Sequence, residues 1–300
     1  MKKFLLTAAF IFVASVFYGQ IQQADCEGCD IDQMEPDVVL VSKNVSDVDQ
    51  VGQSNLANVF QTGNANYSHV DQNGNNTIAG GLNNEAMVHQ RGIHDNSKIK
   101  QYGDGNYGRV IQVGNLNYAS QDVGVNWAEK NYALAYQRGD RNVSFQKQRY
   151  DNNRAYAFQV GDKNYVKQDQ SSEANAVDGS VAAVLQYGDE NEAEQTQRGS
   201  NNLAVAVQYG NNNSSVENQT SVAGGSWMNT SYVMQYGNDN SSCVTQNANG
   251  GDNYSWVMQM GNENSAVINQ DASFIGNCSM VDQIGTLNKA CVEQNNGLQQ

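Results

Sequence analysis

The chain has 300 residues, among them 28 glycines and a single proline, and its formal net charge is -14 at pH 7. This acidity argues against nucleic acid or an anionic membrane surface as a partner, because both require a basic protein face. Asparagine and glutamine dominate the composition, which alone would suit a disordered prion-like tract, but the strict spacing found below argues against disorder.

Residues 1–19 have the pattern of a secretory signal peptide. Two lysines precede an apolar run from Phe4 to Phe17, and small residues follow near Gly19. The run is too short to span a membrane comfortably, and it would be lost on cleavage. We therefore expect the mature chain to be exported.

Residues 20–43 form a separate N-terminal segment, which contains Cys26 and Cys29 in a C-x-x-C pattern. A zinc site would need a second cysteine pair or nearby histidines, and none follow. In an exported protein we expect a local disulfide or two unpaired thiols instead of a metal. The other three cysteines are scattered and predict no disulfide framework. No cofactor is expected.

From Asn44 onward the sequence repeats with one short period. A glutamine recurs, usually eleven positions after the previous one, inside the frame N-x-[A/S]-x-[V/A/I/Q]-x-Q-x-G-x-x-N. This period accommodates one short strand and one tight turn. The frame predicts 21 strands, and only Val123 interrupts the glutamine column. We therefore expect residues 44–300 to form an all-β solenoid.

The four recurring positions of each repeat share parity, so their side chains point to one face of a strand. When strands stack, like amides lie above one another and can form hydrogen-bonded ladders. We expect these ladders to stack the coils, and also the subunits of a fibre. The residues assigned to them are Asn44, Gln50, Asn55, Gln61, Asn106, Gln112, Asn202, Gln208, Asn288 and Gln294.

Longer spacings between glutamines occur only at odd-numbered turns. Because insertions in a solenoid map to one edge, odd and even turns must occupy opposite edges. One coil is then two strands and two turns, or about 22 residues, and the array has about ten coils. Even turns keep Q-x-G-x-x-[N/D], since a tight corner needs a left-handed or strained backbone position. The predicted fold is a two-sheet β-solenoid of the cross-β type.

Five odd strands carry a long polar residue where other strands have a small aliphatic one. Opposite them the even strands place Ala135, Ala157, Val184 and Ala206, so that long side chains meet small ones as close packing requires. We expect an inner amide ladder, in which the terminal acid is protonated or bonded to its glutamine neighbour. Its members are Gln121, Gln146, Gln168, Gln195 and Glu217.

The outward positions differ between the two predicted sheets. Odd strands carry mostly polar and charged residues there, whereas even strands are mainly apolar. An apolar face of this extent usually marks an interaction surface, although long loops of the odd edge could instead fold over it. We expect lateral contacts through residues that include Tyr132, Tyr136, Leu203, Val205, Tyr254 and Trp256.

The repeat frame resembles the curlin repeat from Asn44 to Gln294, as in the stretch NLAVAVQYGNNN between Asn202 and Asn213. The resemblance implies the curli fold, a left-handed two-sheet β-solenoid whose end coils template the next subunit into an extracellular amyloid fibre. It also implies export through an outer-membrane curli secretion channel with accessory proteins, and a nucleator subunit as a further candidate partner. Residues 20–43 lie where curli subunits carry their channel-targeting segment.

Three features depart from the familiar curli subunits: the larger number of coils, the cysteine pair, and long odd-edge loops such as Ile78–Asn83, Gly124–Lys130 and Ala223–Met228. They leave open whether the chain is a major subunit or a nucleator.

Two other functions would suit a repeat array of this kind. A monomeric surface adhesin could use the apolar even face, but the threonine columns typical of ice-binding solenoids are missing from the sequence. A β-helical enzyme would need paired carboxylates or a metal site in a cleft. The histidines (His69, His89 and His94) are predicted in outward positions or a turn, and the acidic residues form no defensible pair. We therefore expect a structural protein and not an enzyme.

Overall fold

The computed structural model describes residues 30–73, 82–125, 128–173, 178–222 and 227–296. The expected signal peptide, Cys26, Cys29 and parts of the three long loops lie outside these residues. Within them the secondary structure consists of 21 β-strands without any helix, so no described segment is an apolar helix that could cross a membrane.

The strands form two parallel sheets. The odd sheet has 11 strands: β1 (Val45–Val51), β3 (Tyr67–Asn73), β5 (Asn96–Tyr102), β7 (Tyr118–Val125), β9 (Val143–Arg149), β11 (Tyr165–Ser171), β13 (Glu192–Arg198), β15 (Ser214–Ser221), β17 (Ser241–Ala248), β19 (Ser265–Ala272) and β21 (Lys289–Asn295). The even sheet has ten: β2 (Leu56–Asn64), β4 (Glu85–Ile93), β6 (Tyr107–Asn115), β8 (Tyr132–Arg138), β10 (Arg154–Val160), β12 (Val181–Tyr187), β14 (Asn202–Tyr209), β16 (Asn229–Tyr236), β18 (Asn253–Asn262) and β20 (Asn277–Thr286).

Each strand pairs with the strand two places along the chain, and equivalent repeat positions face each other. Gln137 of β8 lies beside Gln159 of β10, for example, and Gln159 lies beside Gln186 of β12. This in-register stacking is the two-sheet β-solenoid of about ten turns that the period predicts, and the fold prediction is confirmed. A register irregularity occurs in β7 between Val123 and Val125, next to the one position where the glutamine column is interrupted.

The regular corners of the even edge depend on two residues with positive φ. In the turn after β10, Gly161 has φ +124° and Lys163 has φ +56°. A Cβ atom on Gly161 would lie 2.1 Å from the carbonyl oxygen of Gly188 in the next coil. The glycine is therefore required both by its own backbone angle and by the backbone stacked on it.

The interior between the sheets is thin and mixed in character. Apolar clusters fill both ends of the array, around Ile99 near the N-terminal coils and around Ile268 near the C-terminal coils. Between them, small residues such as Ala157 and Ala206 leave room for the long polar side chains of β7 to β15.

The cysteines differ from expectation. Cys243 on β17 and Cys291 on β21 are both disulfide-bonded, whereas Cys278 on β20 is an exposed free thiol. The prediction that these three cysteines give no disulfide framework was therefore wrong for two of them. The disulfide bonding of Cys243 and Cys291 could not be deduced from the repeat, because the repeat frame has no cysteine position.

Candidate functional site

The glutamine column of the even sheet is one continuous hydrogen-bonded ladder. Each side-chain Nε2 donates to Oε1 of the glutamine in the next coil, with N–O distances of 2.8 to 3.1 Å. The same nitrogen also donates to a backbone carbonyl of the other sheet, as from Gln159 to Val143 at 3.0 Å. The ladder thus joins successive coils and also the two sheets. It contains the predicted Gln61, Gln112 and Gln208.

The corresponding ladder of the odd sheet is divided at Val123. Gln50 donates to Gln72, which donates to Gln101, at 2.6 and 2.8 Å. The bonds resume at Gln148 and run on to Gln294. Because the valine offers no donor, the buried Oε1 of Gln148 has no hydrogen-bond partner. The coil boundary at β7 is therefore the weakest point of this ladder.

The asparagine column forms a second ladder with the opposite direction. In a typical step, the backbone N–H and Nδ2 of Asn142 donate to Oδ1 of Asn117, at 3.0 and 3.1 Å. Nδ2 also donates to the glycine carbonyl of the neighbouring turn, here Gly161 at 2.7 Å. Glutamines therefore donate toward higher-numbered coils, and asparagines toward lower-numbered ones. The predicted Asn106 and Asn202 occupy this column as well.

Asp95 replaces asparagine in this column and changes its chemistry. It is fully buried, and its Oδ2 has no hydrogen-bond partner where an asparagine would offer an N–H group. Burial raises the pKa of Asp95 to about 6, although hydrogen bonds from Asn117 oppose the shift. The sequence identified this exception to the column, but the consequence depends on its burial.

The structure brings the five inner polar residues into one row. Gln121, Gln146, Gln168 and Gln195 each donate from Nε2 to the next member at 2.8 to 2.9 Å, and the last acceptor is Oε1 of Glu217. Each Nε2 also donates to a carbonyl of the even sheet twelve residues earlier in the chain. The same step from Glu217 leads to Val205, where the ionised carboxylate, unlike a glutamine amide, has no N–H group to donate.

We expect Glu217→Gln to stabilise the protein at neutral pH but not at acidic pH. Burial raises the pKa of Glu217 from the ordinary 4.5 to about 7. Below the unfolded pKa both states are protonated, so stability falls only as the pH rises from there through the folded pKa. The variant should gain about 3 kcal/mol at pH 8 and almost nothing at pH 4. Urea unfolding of dilute, freshly refolded monomer measures both.

The matched control is Glu194→Gln, which removes an outward acid paired with Lys167 at 2.9 Å. It should not reproduce the gain at pH 8. An equal effect of Glu217→Gln at both pH values would contradict the raised pKa of the buried acid.

The outward faces of the sheets differ as the sequence indicates. The even face carries half-buried aromatic and aliphatic side chains, and its rings contact each other along the array, with Tyr107 and Tyr132 stacked at a centroid distance of 4.7 Å. Tyr232 contacts both Tyr254 and Trp256. The other residues assigned to this face are also half-buried and outward: Tyr136, Leu203 and Val205.

An N-terminal strap, residues 30–43, crosses the outward face of the odd sheet. The backbone N–H of Met34 donates to the hydroxyl of Tyr165 on β11 at 2.9 Å, and that of Val39 donates to Oδ1 of Asn96 on β5 at 2.8 Å. Gln33 also contacts Glu192 on β13. The strap therefore runs along the solenoid axis, at right angles to the strands. Repeat analysis missed it because the segment has no period.

Between the strap and β1 to β5 lies an open cleft of about 240 Å³, where Asp37 and Asp47 face Lys98 and Lys100. Nowhere in the described parts of the chain do three or more His, Cys, Asp or Glu side chains form a group that could hold a metal ion.

The first and last members of each ladder lie at the ends of the array. Asn44, Gln50, Asn55 and Gln61 lie in or beside β1 and β2, and Asn288 and Gln294 belong to the final coil. Within the described residues, no glutamine of the ladder columns follows Gln283 in the even sheet or Gln294 in the odd sheet, and none precedes Gln61 or Gln50 there.

Comparison with known proteins agrees with this architecture. The profile of one family, the curlin associated repeat, matches residues 52–80 and 188–216. No curated protein is significantly similar to the chain. The first matched stretch lies at the N-terminal end of the array and the second near its middle, and the strands of the array share one register. The chain therefore contains curlin-type repeats, in an array whose strands share one register.

Proposed function

We propose that this protein is the secreted subunit of an extracellular curli-like amyloid fibre, built by end-to-end stacking of solenoids in a biofilm matrix. The observation that carries the proposal is the pair of open ends. Within the described residues, both sheets end in strands whose outer edge pairs with no further strand, and such edges template the addition of another chain. Solenoids that remain monomeric normally carry caps that prevent this growth.

The direction of the ladders favours one way of stacking. At the C-terminal end, Gln283 and Gln294 present Nε2 donors that have no next coil. At the N-terminal end, the first glutamines present the matching Oε1 acceptors. A head-to-tail contact continues both ladders with like residue on like residue, as between coils within the subunit. A contact between two like ends would instead place strands antiparallel and lose this in-register pairing. We therefore expect polar fibres.

Incubation of the mature chain, residues 20–300, at micromolar concentration tests the proposal. The expected product is thioflavin-positive filaments with cross-β reflections near 4.8 Å and about 10 Å. A folded monomer that persists under these conditions would overturn the fibre and favour the second candidate, a monomeric adhesin that binds through the apolar even face.

We further propose that filaments associate laterally through the even face. Replacing Tyr136, Val205 and Trp256 with serine together should convert bundles into single filaments, because it removes apolar area from three places along that face. The control replaces Lys147, Thr196 and Thr245, outward on the odd sheet, with serine. Electron micrographs of filament width distinguish the two, and unchanged bundling in the even-face variant would exclude this surface.

Residues 20–43 are proposed to direct export, through a curli-type outer-membrane channel and its accessory proteins. In the folded protein, residues 30–43 contact the odd sheet. These contacts cannot form before the strands do, so the segment is accessible to the channel while the chain is still unfolded. Deletion of 20–43 in a secreting cell should abolish surface fibres while the purified truncated chain still polymerises. Normal surface fibres would contradict the targeting role.

A further inference from the structure

The outward face of the odd sheet contains one column of side chains that the strap follows. It runs in register through Lys98, Ser120, Phe145, Lys167, Glu194, Val216, Cys243, Val267 and Cys291. The strap contacts Lys98 through Asp37 and Lys167 through the carbonyl of Asp32. Lower-numbered strap residues thus lie beside later coils, and the strap points toward the two disulfide-bonded cysteines.

Those cysteines cannot be bonded to each other. Cys243 and Cys291 are separated by β19, which pairs with both of their strands. Two interstrand steps place their Cα atoms roughly 9.6 Å apart, whereas disulfides join Cα atoms at up to about 6.8 Å. Cys278 is a free thiol. The remaining cysteines of the chain are Cys26 and Cys29.

The burial of the column agrees with a covering segment. Val216, Cys243 and Val267 project outward, yet they are only 4%, 2% and 7% exposed. The C-x-x-C spacing also fits, because three extended residues span about 10 Å, which equals two interstrand steps. We propose that Cys29 bonds to Cys243 and Cys26 to Cys291, so that the strap is fixed covalently to the C-terminal coils.

Each bond forms when two thiols lose two protons and two electrons to an oxidant that is itself a disulfide, such as an exchange catalyst or oxidised glutathione, which becomes two thiols. The strap would then join the first coil, through the peptide bond to β1, to the last one. This bonding replaces the local Cys26–Cys29 disulfide that the spacing alone suggests.

Peptide mapping of the mature chain, refolded with oxidised glutathione, tests the pairing. Cleavage after Glu27 separates the two cysteines, and non-reducing mass spectrometry should find Cys29 with Cys243 and Cys26 with Cys291. In the variants, Cys29→Ser should expose Cys243 to alkylation, and Cys26→Ser should expose Cys291, whereas Cys278→Ser should change neither. A Cys26–Cys29 link, or the crossed pairing, would overturn the proposal.

A second inference rests on the proposed fibre and comes from the number of strands. The described residues form 21 strands, and the first and the last of these both belong to the odd sheet. If the solenoid continued without interruption, the next strand would therefore pair with β20, in the even sheet. If β1 of a new subunit instead paired with β21, its β2 would lie two steps from β20. That arrangement leaves a gap one strand wide, with unpaired backbone groups on both sides.

The shape of the first turn favours the uninterrupted joint. The turn between β1 and β2 lies on the odd edge, yet Gly52 has φ +121° and Ser54 has φ +58°. The last even-edge turn is nearly identical, with +116° at Gly285 and +59° at Leu287. The equivalent odd-edge glycines, Gly103 and Gly199, have +91° and +80°. The first turn thus has the backbone conformation of an even-edge turn, which suits stacking on the even edge of the preceding copy.

Charge does not decide between the two joints. Asp49 would lie beside Asp282 if β1 paired with β20, and beside Glu293 if β1 paired with β21, so both joints bring two acids together. The geometry points to subunits related by about a half turn around the fibre axis, with β1 pairing with β20 and β2 with β21 of the preceding copy. Each side of the fibre then presents charged odd faces and apolar even faces in alternation.

Helical reconstruction of the fibres tests this joint. We expect a rise of roughly 50 Å per subunit with a rotation near 180°, whereas the alternative predicts roughly 53 Å with little rotation. If no fibres form, the proposed function is wrong. Fibres with little rotation between subunits would instead contradict only the half turn.

Cross-linking gives an independent measurement. Val45→Cys would lie beside the native Cys278 of the preceding copy and should yield covalent oligomers on oxidation. The triple variant Val45→Cys, Lys289→Cys, Cys278→Ser should link only in the alternative joint. Linking of the triple variant, without linking of the first, would overturn the half turn.

Discussion

Replacing Gly161 with alanine is expected to prevent this array from folding as a unit. The residue has φ +124°, and an added Cβ would lie 2.1 Å from the Gly188 carbonyl oxygen and 2.7 Å from its carbon. Both obstacles are backbone, which cannot move aside without separating two coils. We expect a loss of about 4 kcal/mol or more in the free energy of unfolding, measured by urea denaturation of dilute monomer.

Gly105→Ala is the matched control. Its φ is +63°, which non-glycine residues such as Lys163 adopt in this chain, and the nearest atom to an added Cβ is a Lys130 side-chain carbon at 3.9 Å. We expect a cost of about 1 kcal/mol or less. Equal losses at both positions would show that the even-edge glycines are not fixed by their stacked neighbours.

Gln159→Leu is expected to produce the second-largest loss of stability. Gln159 accepts a hydrogen bond from Gln137 at 2.9 Å and donates to Gln186 and to the Val143 carbonyl. Leucine has a similar volume, so the change removes these three bonds without creating a large cavity. Two buried acceptors lose their donor, at about 1–3 kcal/mol each, and we expect a total loss of about 3–5 kcal/mol in urea unfolding.

Two comparisons show whether this loss comes from the ladder. Gln53→Leu changes an exposed glutamine in the first turn and should be nearly neutral. Val123→Gln places a donor beside the unpartnered Oε1 of Gln148 and should stabilise the protein. If Gln159→Leu proved as mild as Gln53→Leu, the ladders would contribute little to stability.

The repeat made most of this fold predictable. Because every coil obeys the same frame, the spacing of glutamines alone places each strand, assigns it to a sheet and sets its register. The positions of the longer turns separate the two edges. The inner row from Gln121 to Glu217 could also be foreseen, since parity puts these residues inside and the opposing alanines leave them room.

The remaining features depend on contacts that no period encodes. The strap joins residues far apart in sequence, such as Gln33 and Glu192, and its sequence has neither alternation nor spacing. The consequence of Asp95 depends on complete burial beside a glycine carbonyl, where a single oxygen replaces an N–H donor. The disulfide-bonded state of Cys243 likewise depends on a partner that no period indicates.

The interruption at Val123 has a mechanical consequence. Coils along a filament resist stretching in series, so a lengthwise pull is expected to separate first the pair with the fewest bonds, which lies at β7. The strap is attached to β5 through Asn96 and to β11 through Tyr165, on either side of that place. The strap therefore connects the coils on the two sides of this weak boundary. In the proposed filament, the force needed to break it should drop once residues 30–43 are removed.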